Sequence, residues 1–241
     1  MKKRLDILLT ERALAPSRER AKALIMENKV LVAGQPVDKA GHIVDESAEI
    51  TVRETEAPFV SRAGLKLSHA LDEFKIDVTG KTVMDVGAST GGFTDCLLKR
   101  GAGRVFAIDV GYGQLAWALR SDARVIPIER TNIRYLEREK IPCSVDMVVI
   151  DVSFISLRLV VPAVVRFLQP ESDVVALIKP QFEVGKGQVG KGGIVAEEDK
   201  RLRVVDEMKE FFSSSGLFVH GVCESPIRGQ KGNVEYFIHA S

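Results

Sequence analysis

The sequence predicts an α/β protein in which a doubly wound parallel sheet follows a small α+β module. Its 241 residues exceed one average domain. From residue 58 onward, helical and β patterns alternate, which is typical of a parallel sheet with helices on both faces. Before that point the charge is uneven: residues 1–29 carry eight Lys/Arg against four Asp/Glu, and residues 30–57 carry two against six. We therefore expect domains at residues 1–57 and 58–241.

The composition excludes several classes of protein. With 45% hydrophobic and 28% charged residues and a net charge of +1, the chain is neither disordered, collagen-like nor a coiled coil. Cys96, Cys143 and Cys223 are far apart and form no C-x-x-C pair, which favours reduced thiols in a cytoplasmic protein and argues against a zinc site or any other metal. Because the N-terminal apolar run is short and broken at Thr10, we expect no secretory signal and no membrane span.

The N-terminal module begins with two short amphipathic helices. The second follows Pro16, with Ser17 as its N-cap. Two β-like runs come next, "KVLVAGQPV" and "AEITV", with Gly34-Gln35 as the predicted turn. Basic side chains outside the apolar stripes indicate either a solvated helix face or a phosphate-binding surface, and the pattern alone leaves both open. These basic residues are Arg4, Arg18, Arg20, Lys22 and Lys29.

The same segment resembles an S4 RNA-binding domain. The resemblance rests on the Arg-Leu-Asp start, the Ser17-Arg18 pair and the "NKVLVAGQPV" turn into strands. It implies that Arg18, Arg20 and Lys22 contact the RNA backbone, which is recognised by shape and phosphate rather than by base identity. Residues 54–60 show neither the helical nor the strand periodicity of apolar residues, and they are predicted to be a linker.

The stretch "KTVMDVGASTGGFTDCLLKRGAGRVFAIDVG" predicts a strand, a glycine-rich loop, a helix and a second strand. Glycines in such a loop allow a backbone approach that a Cβ atom would block. Asp109 ends the second strand, where a carboxylate can accept both hydroxyls of a ribose. The order of strand, loop, helix, strand and acid favours a nucleoside-binding site over a loop that only packs and binds no ligand.

The spacing of this loop favours S-adenosylmethionine (SAM) over a nicotinamide cofactor. The dinucleotide fingerprint is G-x-G-x-x-G, but Ala88-Ser89 stands where its second glycine belongs. The string "DVGASTGGFTD" resembles the SAM-binding loop of Rossmann-like methyltransferases, particularly the FtsJ-like RNA methyltransferases. The predicted cofactor-binding residues are Asp85, Gly87, Ala88, Ser89, Thr90, Gly91, Gly92, Phe93, Asp109 and Asn132.

A second glycine cluster, "GKGQVGKGG", satisfies most of a Walker A pattern but is not one. Gly192 stands where the magnesium-binding Ser or Thr is required, so nucleotide hydrolysis is rejected. We expect instead a flexible basic loop near the substrate mouth, with Lys186 and Lys191 as phosphate contacts.

Four charged residues stand at unusual points of the large domain. Asp151 and Lys179 end two apolar strands, at the edge where parallel sheets bind ligands. Glu235 is predicted inside the strand "GNVEYFIHA", and Lys66 at the edge of a helical apolar stripe. Each alone is explained by a surface charge or an ion pair. Together they sum to zero charge and could form a buried network that aligns a ribose 2′-hydroxyl and accepts its proton.

The chain is also similar to the TlyA/hemolysin A family, whose members join an S4 domain to an FtsJ-like methyltransferase domain. The similarity rests on "SRAGLKL", "DVSFISL", "IKPQFEVGK" and "KGNVEYF". It implies a catalytic tetrad of Lys66, Asp151, Lys179 and Glu235, ribosomal RNA as substrate and a cytidine ribose as acceptor. The linker departs from the family, since "APFV" replaces Arg-x-Trp-Val. No amine-methylating N/D-P-P-Y-type motif follows the fourth strand, where "DVSF" stands.

Other functions remain as alternatives. They are a non-catalytic RNA-binding or ribosome-associated protein, a nicotinamide oxidoreductase and a hemolysin that acts on membranes. A pore-former needs an amphipathic or spanning segment, which the sequence does not show. The four histidines have no ligand spacing. Trp117 is expected either to pack or to flank an adenine pocket, with packing favoured.

Overall fold

The computed structural model describes residues 2–15, 17–26, 29–52, 58–185, 189–229 and 231–241, without the side chains of Arg20, Ala23 and Lys191. The chain forms two compact units, Met1–Ala57 and Pro58–Ser241. Lys186, the side chains of Arg20 and Lys191, and most of the predicted linker therefore lie outside the described residues.

The N-terminal unit packs two helices and short strands around one apolar cluster. Leu5 and Leu9 from the first helix meet Ala21 and Ile25 from the second, and all four are fully buried. The first strand pairs with the fourth, and the third, second and fifth form a small antiparallel sheet. The elements are β1 (Lys2–Arg4), α1 (Leu5–Glu11), α2 (Arg18–Met26), β2 (Val30–Val32), β3 (Gln35–Pro36), β4 (Ile43–Asp45) and β5 (Ile50–Val52).

The hairpin turn between β2 and β3 lies one residue earlier than predicted. Ala33 and Gly34 both have positive φ, 48° and 77°, whereas Gln35 already pairs with Val32. Two consecutive positive φ angles give the type I′ geometry that matches the twist of a tight hairpin. The predicted Gly34-Gln35 turn was therefore wrong by one position.

The large unit contains one seven-stranded sheet and six α-helices among its described residues, together with short 3₁₀ segments. In spatial order the strands run β11-β12-β10-β9-β6-β7-β8. The elements are α3 (Ala63–Glu73), β6 (Thr82–Val86), α4 (Gly92–Lys99), β7 (Arg104–Ile108), α5 (Trp117–Arg120), β8 (Val125–Ile128), β9 (Val145–Ile150), α6 (Leu157–Val165), β10 (Leu168–Ile178), α7 (Pro180–Glu183), α8 (Glu198–Ser214), β11 (Val219–Glu224) and β12 (Tyr236–Ala240), with α7 a single turn.

Helices cover both faces of this sheet, as the alternating pattern predicts. One apolar cluster joins the sheet to α6 and α8, and a second joins it to α3 and α4. Strand β9 and residues 174–178 of β10 are buried on both faces, which explains their almost unbroken apolar runs, whereas residues 169–171 of β10 are exposed. The large buried side chains include Phe106, Phe167, Phe212 and Phe237. Burial of each contributes about 1.5–3 kcal/mol to the stability of the fold.

The strand β12 departs from the parallel arrangement. It pairs antiparallel with both β10 and β11, whereas β6 to β10 pair in parallel. Glu235 does not lie inside a strand as predicted; it directly precedes β12, whose first residue Tyr236 faces Ile178 at the end of β10. Because β12 runs antiparallel, its beginning lies at the edge where the parallel strands end. This reversal brings Glu235 next to Lys179.

None of the helices in the described part of the chain has the length and apolar character needed to cross a membrane. The cytoplasmic location expected from the cysteines remains a prediction.

Candidate active site

The glycine-rich loop after β6 is folded tightly against the neighbouring strand end. The N–H groups of Gly87 and Ala88 donate to the carbonyl of Ile108 at 2.9 and 3.1 Å. Gly87 has φ +90°, and a Cβ atom there would collide with the Asp151 carbonyl oxygen. The loop therefore needs glycine at residue 87 both for its conformation and for this close approach.

Asp109 is bound to the same loop. Its Oδ2 accepts from the N–H of Ser89 at 2.8 Å, and its Oδ1 accepts from the N–H of Gly111 at 2.7 Å. A small hollow beside it is lined by Ala88, Ser89 and Asp109 among others. Each carboxylate oxygen keeps a further lone pair, so Asp109 can still accept from two ligand hydroxyls.

A cleft of about 640 Å³ opens beside the glycine loop, at the carboxyl edge of the parallel strands. This is the edge where open α/β sheets bind their ligands. The cleft shares Ala88 and Ser89 with the small hollow, so the two adjoin along the loop. Of the predicted site residues, the cleft brings together Lys66, Gly87, Ala88, Ser89, Thr90, Gly92, Phe93, Asp151, Lys179 and Glu235.

The four charged residues form two ion pairs on the cleft wall. Lys66 Nζ lies 2.6 Å from Glu235 Oε2, and Lys179 Nζ lies 2.6 Å from Asp151 Oδ1. The two lysines expose only 9% and 8% of their surface. Buried charges of this kind persist only when they are paired, and here two cations meet two anions. The arrangement can hold a hydroxyl group by hydrogen bonds without adding net charge to the site.

Short helix α7, directly after Lys179, connects the parts of this wall. Gln181 Nε2 donates to Glu235 Oε1 at 3.4 Å. Glu183 accepts from Ser156 Oγ at 2.5 Å and from the N–H of Leu157 at 2.8 Å, and burial raises its pKa. Sequence reasoning did not single out Gln181 or Glu183, although "KPQFE" adjoins a predicted site residue. These contacts tie α7 both to Glu235 and to the start of α6.

An exposed aromatic pair stands at the mouth of the cleft. Phe154 is 89% exposed, and its ring lies 5.1 Å from that of Phe182, centroid to centroid. Its φ of 65° is rare for a bulky residue, and strained backbone of this kind clusters at functional sites. Sequence reasoning missed Phe154, whose only signal was its place three residues after Asp151. The favoured expectation that Trp117 packs was wrong, because this residue is 80% exposed, and its alternative place beside an adenine pocket stays a prediction.

Three residues of the predicted cofactor set line neither the cleft nor the hollow. Asp85 is fully buried and accepts from Thr94 Oγ1 at 2.6 Å, and this burial raises its pKa to about 7. Gly91 lies against Leu115 and Leu119, and Asn132 accepts from the N–H of Arg134 at the start of a 3₁₀-helix. Contact of these three residues with the cofactor therefore remains a prediction. In the structure their contacts are with neighbouring residues of the protein.

Two of the predicted RNA-binding residues of the N-terminal unit, Arg4 and Arg18, contact an acid that sequence reasoning overlooked. Asp6 is fully buried, and both Arg4 and Arg18 bond to its carboxylate. Lys22 is exposed. Lys29 is half-buried. The side chain of Arg20 lies outside the described part of the structure. The signal for Asp6 was present in the Arg-Leu-Asp start, but its burial was not predicted.

Comparison with known proteins agrees with this geometry. Residues 59–241 match the FtsJ-like methyltransferase family, and residues 3–50 match the S4 domain. The chain is 49% identical over 236 residues to the 16S/23S rRNA (cytidine-2′-O)-methyltransferase TlyA of Mycobacterium tuberculosis H37Rv, covering 98% of this chain and 88% of that protein. The chain belongs to the TlyA/hemolysin A family. Hemolysin A of Brachyspira hyodysenteriae is 40% identical, with 98% of each chain covered.

A solved structure supports the same membership. The "Putative hemolysin from Streptococcus thermophilus" aligns with a TM-score of 0.78 at 41% identity, covering 99% of this chain and 88% of that one. The family resemblance inferred from the motifs, and the fold class, are thereby confirmed.

Proposed function

We propose that this protein is a SAM-dependent 2′-O-methyltransferase that acts on ribosomal RNA, with a cytidine ribose as the acceptor. The observation that carries the proposal is the convergence of two lysine–carboxylate pairs in one cleft beside the glycine loop. TlyA, whose name states this reaction, is 49% identical over nearly the whole chain. A non-catalytic RNA-binding protein has no need for two buried ion pairs in an open cleft.

The glycine loop and Asp109 fit SAM. The loop offers a cradle free of Cβ atoms at Gly87, and Asp109 offers acceptors for ribose hydroxyls in the adjoining hollow. When bound, SAM supplies a methyl group on a positively charged sulfonium. No pyrophosphate has to be held, which agrees with the missing second glycine of the dinucleotide fingerprint.

The lysines and carboxylates act on the ribose. Lys66 and Lys179 approach the cleft from α3 and from the end of β10, so that their amines can bond to a single 2′-oxygen between them. As that oxygen bonds to the methyl carbon, the bond between this carbon and the sulfonium sulfur breaks. The hydroxyl proton passes to one of the two lysines, which must be a neutral amine to act as general base. Asp151 and Glu235 hold the lysines in place and balance their charge.

The aromatic pair at the mouth suits a nucleotide that leaves its stack. A target base inside folded RNA must be extruded before its ribose reaches the cleft. The exposed ring of Phe154, supported by Phe182, offers a face on which that base can stack. In this proposal residues 58–241 perform the transfer, and residues 1–57 dock the RNA through their basic side chains.

The decisive experiment is methylation of small and large ribosomal subunits with methyl-labelled SAM, followed by mapping of the modified ribose. The proposal expects labelled 2′-O-methylcytidine, and loss of the label in Lys179→Ala. Lys209→Ala is the matched control, since the side chain of Lys209 is 45% exposed and pairs with Asp206 within one helix. A non-catalytic protein would give no label with either variant or with the wild type.

The remaining alternatives need separate measurements. Calorimetry with SAM and with NAD distinguishes a methyltransferase from an oxidoreductase, and binding of NAD alone would overturn the proposal. Lysis of erythrocytes by the purified protein would support a direct action on membranes.

A further inference from the structure

Two exposed arginines of the N-terminal unit share one buried carboxylate. Arg4 donates through Nε to Asp6 Oδ1 at 3.0 Å and through Nη2 to Oδ2 at 3.1 Å. Arg18 donates through Nε to Oδ2 at 3.0 Å. The side chain of Asp6 is completely buried, whereas those of Arg4 and Arg18 remain 43% and 47% exposed. The carboxylate thus lies beneath two guanidinium groups that face solvent.

Both arginines keep donors for a ligand. A guanidinium carries five N–H groups, of which the bonds to Asp6 occupy two in Arg4 and one in Arg18. The remaining N–H groups form a planar fork that matches the oxygens of a phosphate. Since both guanidiniums touch one carboxylate, their other donors lie close to each other.

Asp6 also lowers the side-chain entropy that Arg4 and Arg18 lose when they bind an anion. A free arginine loses rotamer freedom when it binds, at about 0.5–1.5 kcal/mol for each immobilised side chain. Arg4 and Arg18 are already held by hydrogen bonds to a group inside the unit. The two guanidiniums in turn keep the pKa of Asp6 low, at about 2, so the carboxylate stays ionised at neutral pH.

We propose that Asp6 is a positioning residue that pre-organises Arg4 and Arg18 as a single two-arginine site for backbone phosphate of RNA. The proposal rests on the proposed docking of RNA to residues 1–57, and it adds the residue that gives this surface its geometry. It assigns Asp6 no contact with the RNA itself.

The test is Asp6→Asn in the full chain, with the dissociation constant for ribosomal RNA measured across a salt series. The substitution changes the charge of the three-residue cluster from +1 to +2. If the arginines act only as charges, the variant binds RNA more tightly and with a steeper salt dependence. If Asp6 positions them, the variant binds about threefold to tenfold more weakly despite the added positive charge. The reason is that the two arginine side chains then lose rotamer freedom only when they bind the RNA.

Asp45→Asn is the charge-matched control. It removes one negative charge from the same unit, and Asp45 is exposed and accepts locally from the backbone N–H and the hydroxyl of Ser47. Affinity that is unchanged or slightly increased in this variant, together with a loss in Asp6→Asn, supports pre-organisation. Tighter binding in both variants overturns it.

A second variant covers the case in which Asp6→Asn does not fold, which circular dichroism would show. Arg18→Lys keeps the charge and leaves Asp6 paired with Arg4, but removes the fork. The proposal expects a threefold to tenfold loss of RNA affinity, and equal affinity would contradict it. Turnover of the wild type at saturating RNA separates this proposal from the proposed reaction. If the wild type methylates no RNA but its RNA affinity still depends on Asp6, the proposed reaction is refuted and the two-arginine site is supported.

Discussion

The two units use ionised side chains in opposite ways. In the N-terminal unit, the acid Asp6 is buried and its two arginine partners face solvent. In the large unit, Lys66 and Lys179 are themselves almost buried and face a cleft. Outward cations act at long range on a charged polymer, whereas buried cations act on a single atom at close range. In the proposed function, the exposed arginines therefore contribute to RNA affinity and the buried lysines to the chemistry.

Two aspartates make the comparison sharper. Asp6 and Asp85 are both fully buried, yet the pKa of Asp6 is lowered to about 2 and that of Asp85 is raised to about 7. Asp6 has two guanidinium partners, while Asp85 has the hydroxyl of Thr94 and lies near other carboxylates. Burial alone favours the neutral acid, and only neighbouring cations reverse that preference.

Lys179→Ala gives the largest expected effect. Removing the lysine that pairs with Asp151 and is proposed to hold the reacting oxygen should lower the methyl-transfer rate about 10²- to 10⁴-fold. RNA affinity should stay within about twofold, because the lysine is buried in the cleft rather than on the docking surface. Single-turnover kinetics with saturating subunits, alongside filter binding, measure both. A variant that loses affinity instead of rate would break the contrast between the units.

Replacing both Arg4 and Arg18 by Ala should show the reverse pattern. We expect RNA to bind about 10- to 100-fold more weakly, with a shallower dependence on salt, since two of the proposed phosphate contacts are lost. The rate at saturating RNA should be nearly unchanged. Titrations at several salt concentrations test this, and a loss of affinity that is independent of salt would contradict it.

Phe154→Ala separates stacking from charge. Loss of an exposed aromatic face should weaken RNA binding about fivefold to tenfold, at the lower end of the about 1–3 kcal/mol that a stacked base contributes. Unlike the arginine variant, this one should keep the salt dependence of the wild type. Comparison of the two slopes is the measurement, with Phe218→Ala as the control because Phe218 is also exposed but does not line the cleft.

Asp85→Asn has the smallest expected effect on activity, and its effect on the free energy of unfolding depends on pH. Because the folded pKa of Asp85 is raised, its stabilising contribution is complete below about pH 4 and is lost as the pH rises through about 7. The asparagine variant should therefore be more stable than the wild type at pH 8, by up to about 4 kcal/mol, and should lose that advantage at pH 4. Urea unfolding at both pH values tests the sign. A wild type that gains stability over this range relative to the variant would refute it.

Local patterns predicted much of the fold. The alternation of apolar and polar residues indicated the helices and the order of strands, and the rule that ligands lie beyond the carboxyl ends of parallel strands led to Asp109, Asp151 and Lys179. The family similarity supplied the roles of Lys66 and Glu235. Two errors were shifts of one residue, since the first hairpin turn lies at Ala33-Gly34 and Glu235 precedes its strand rather than lying within it. A third concerned tertiary packing, because Trp117 is exposed.

By itself, the sequence determined the two-part organisation, the strand–loop–helix order of the cofactor site and the family, because these depend on periodicity and on short spacings. Tertiary structure alone decided that β12 runs antiparallel, and so which edge of the sheet carries Glu235. It also decided that Asp6 is buried under two arginines and that Phe154 is exposed at the cleft. The partners of a buried charge come from segments far apart in the chain, so no local pattern contains them.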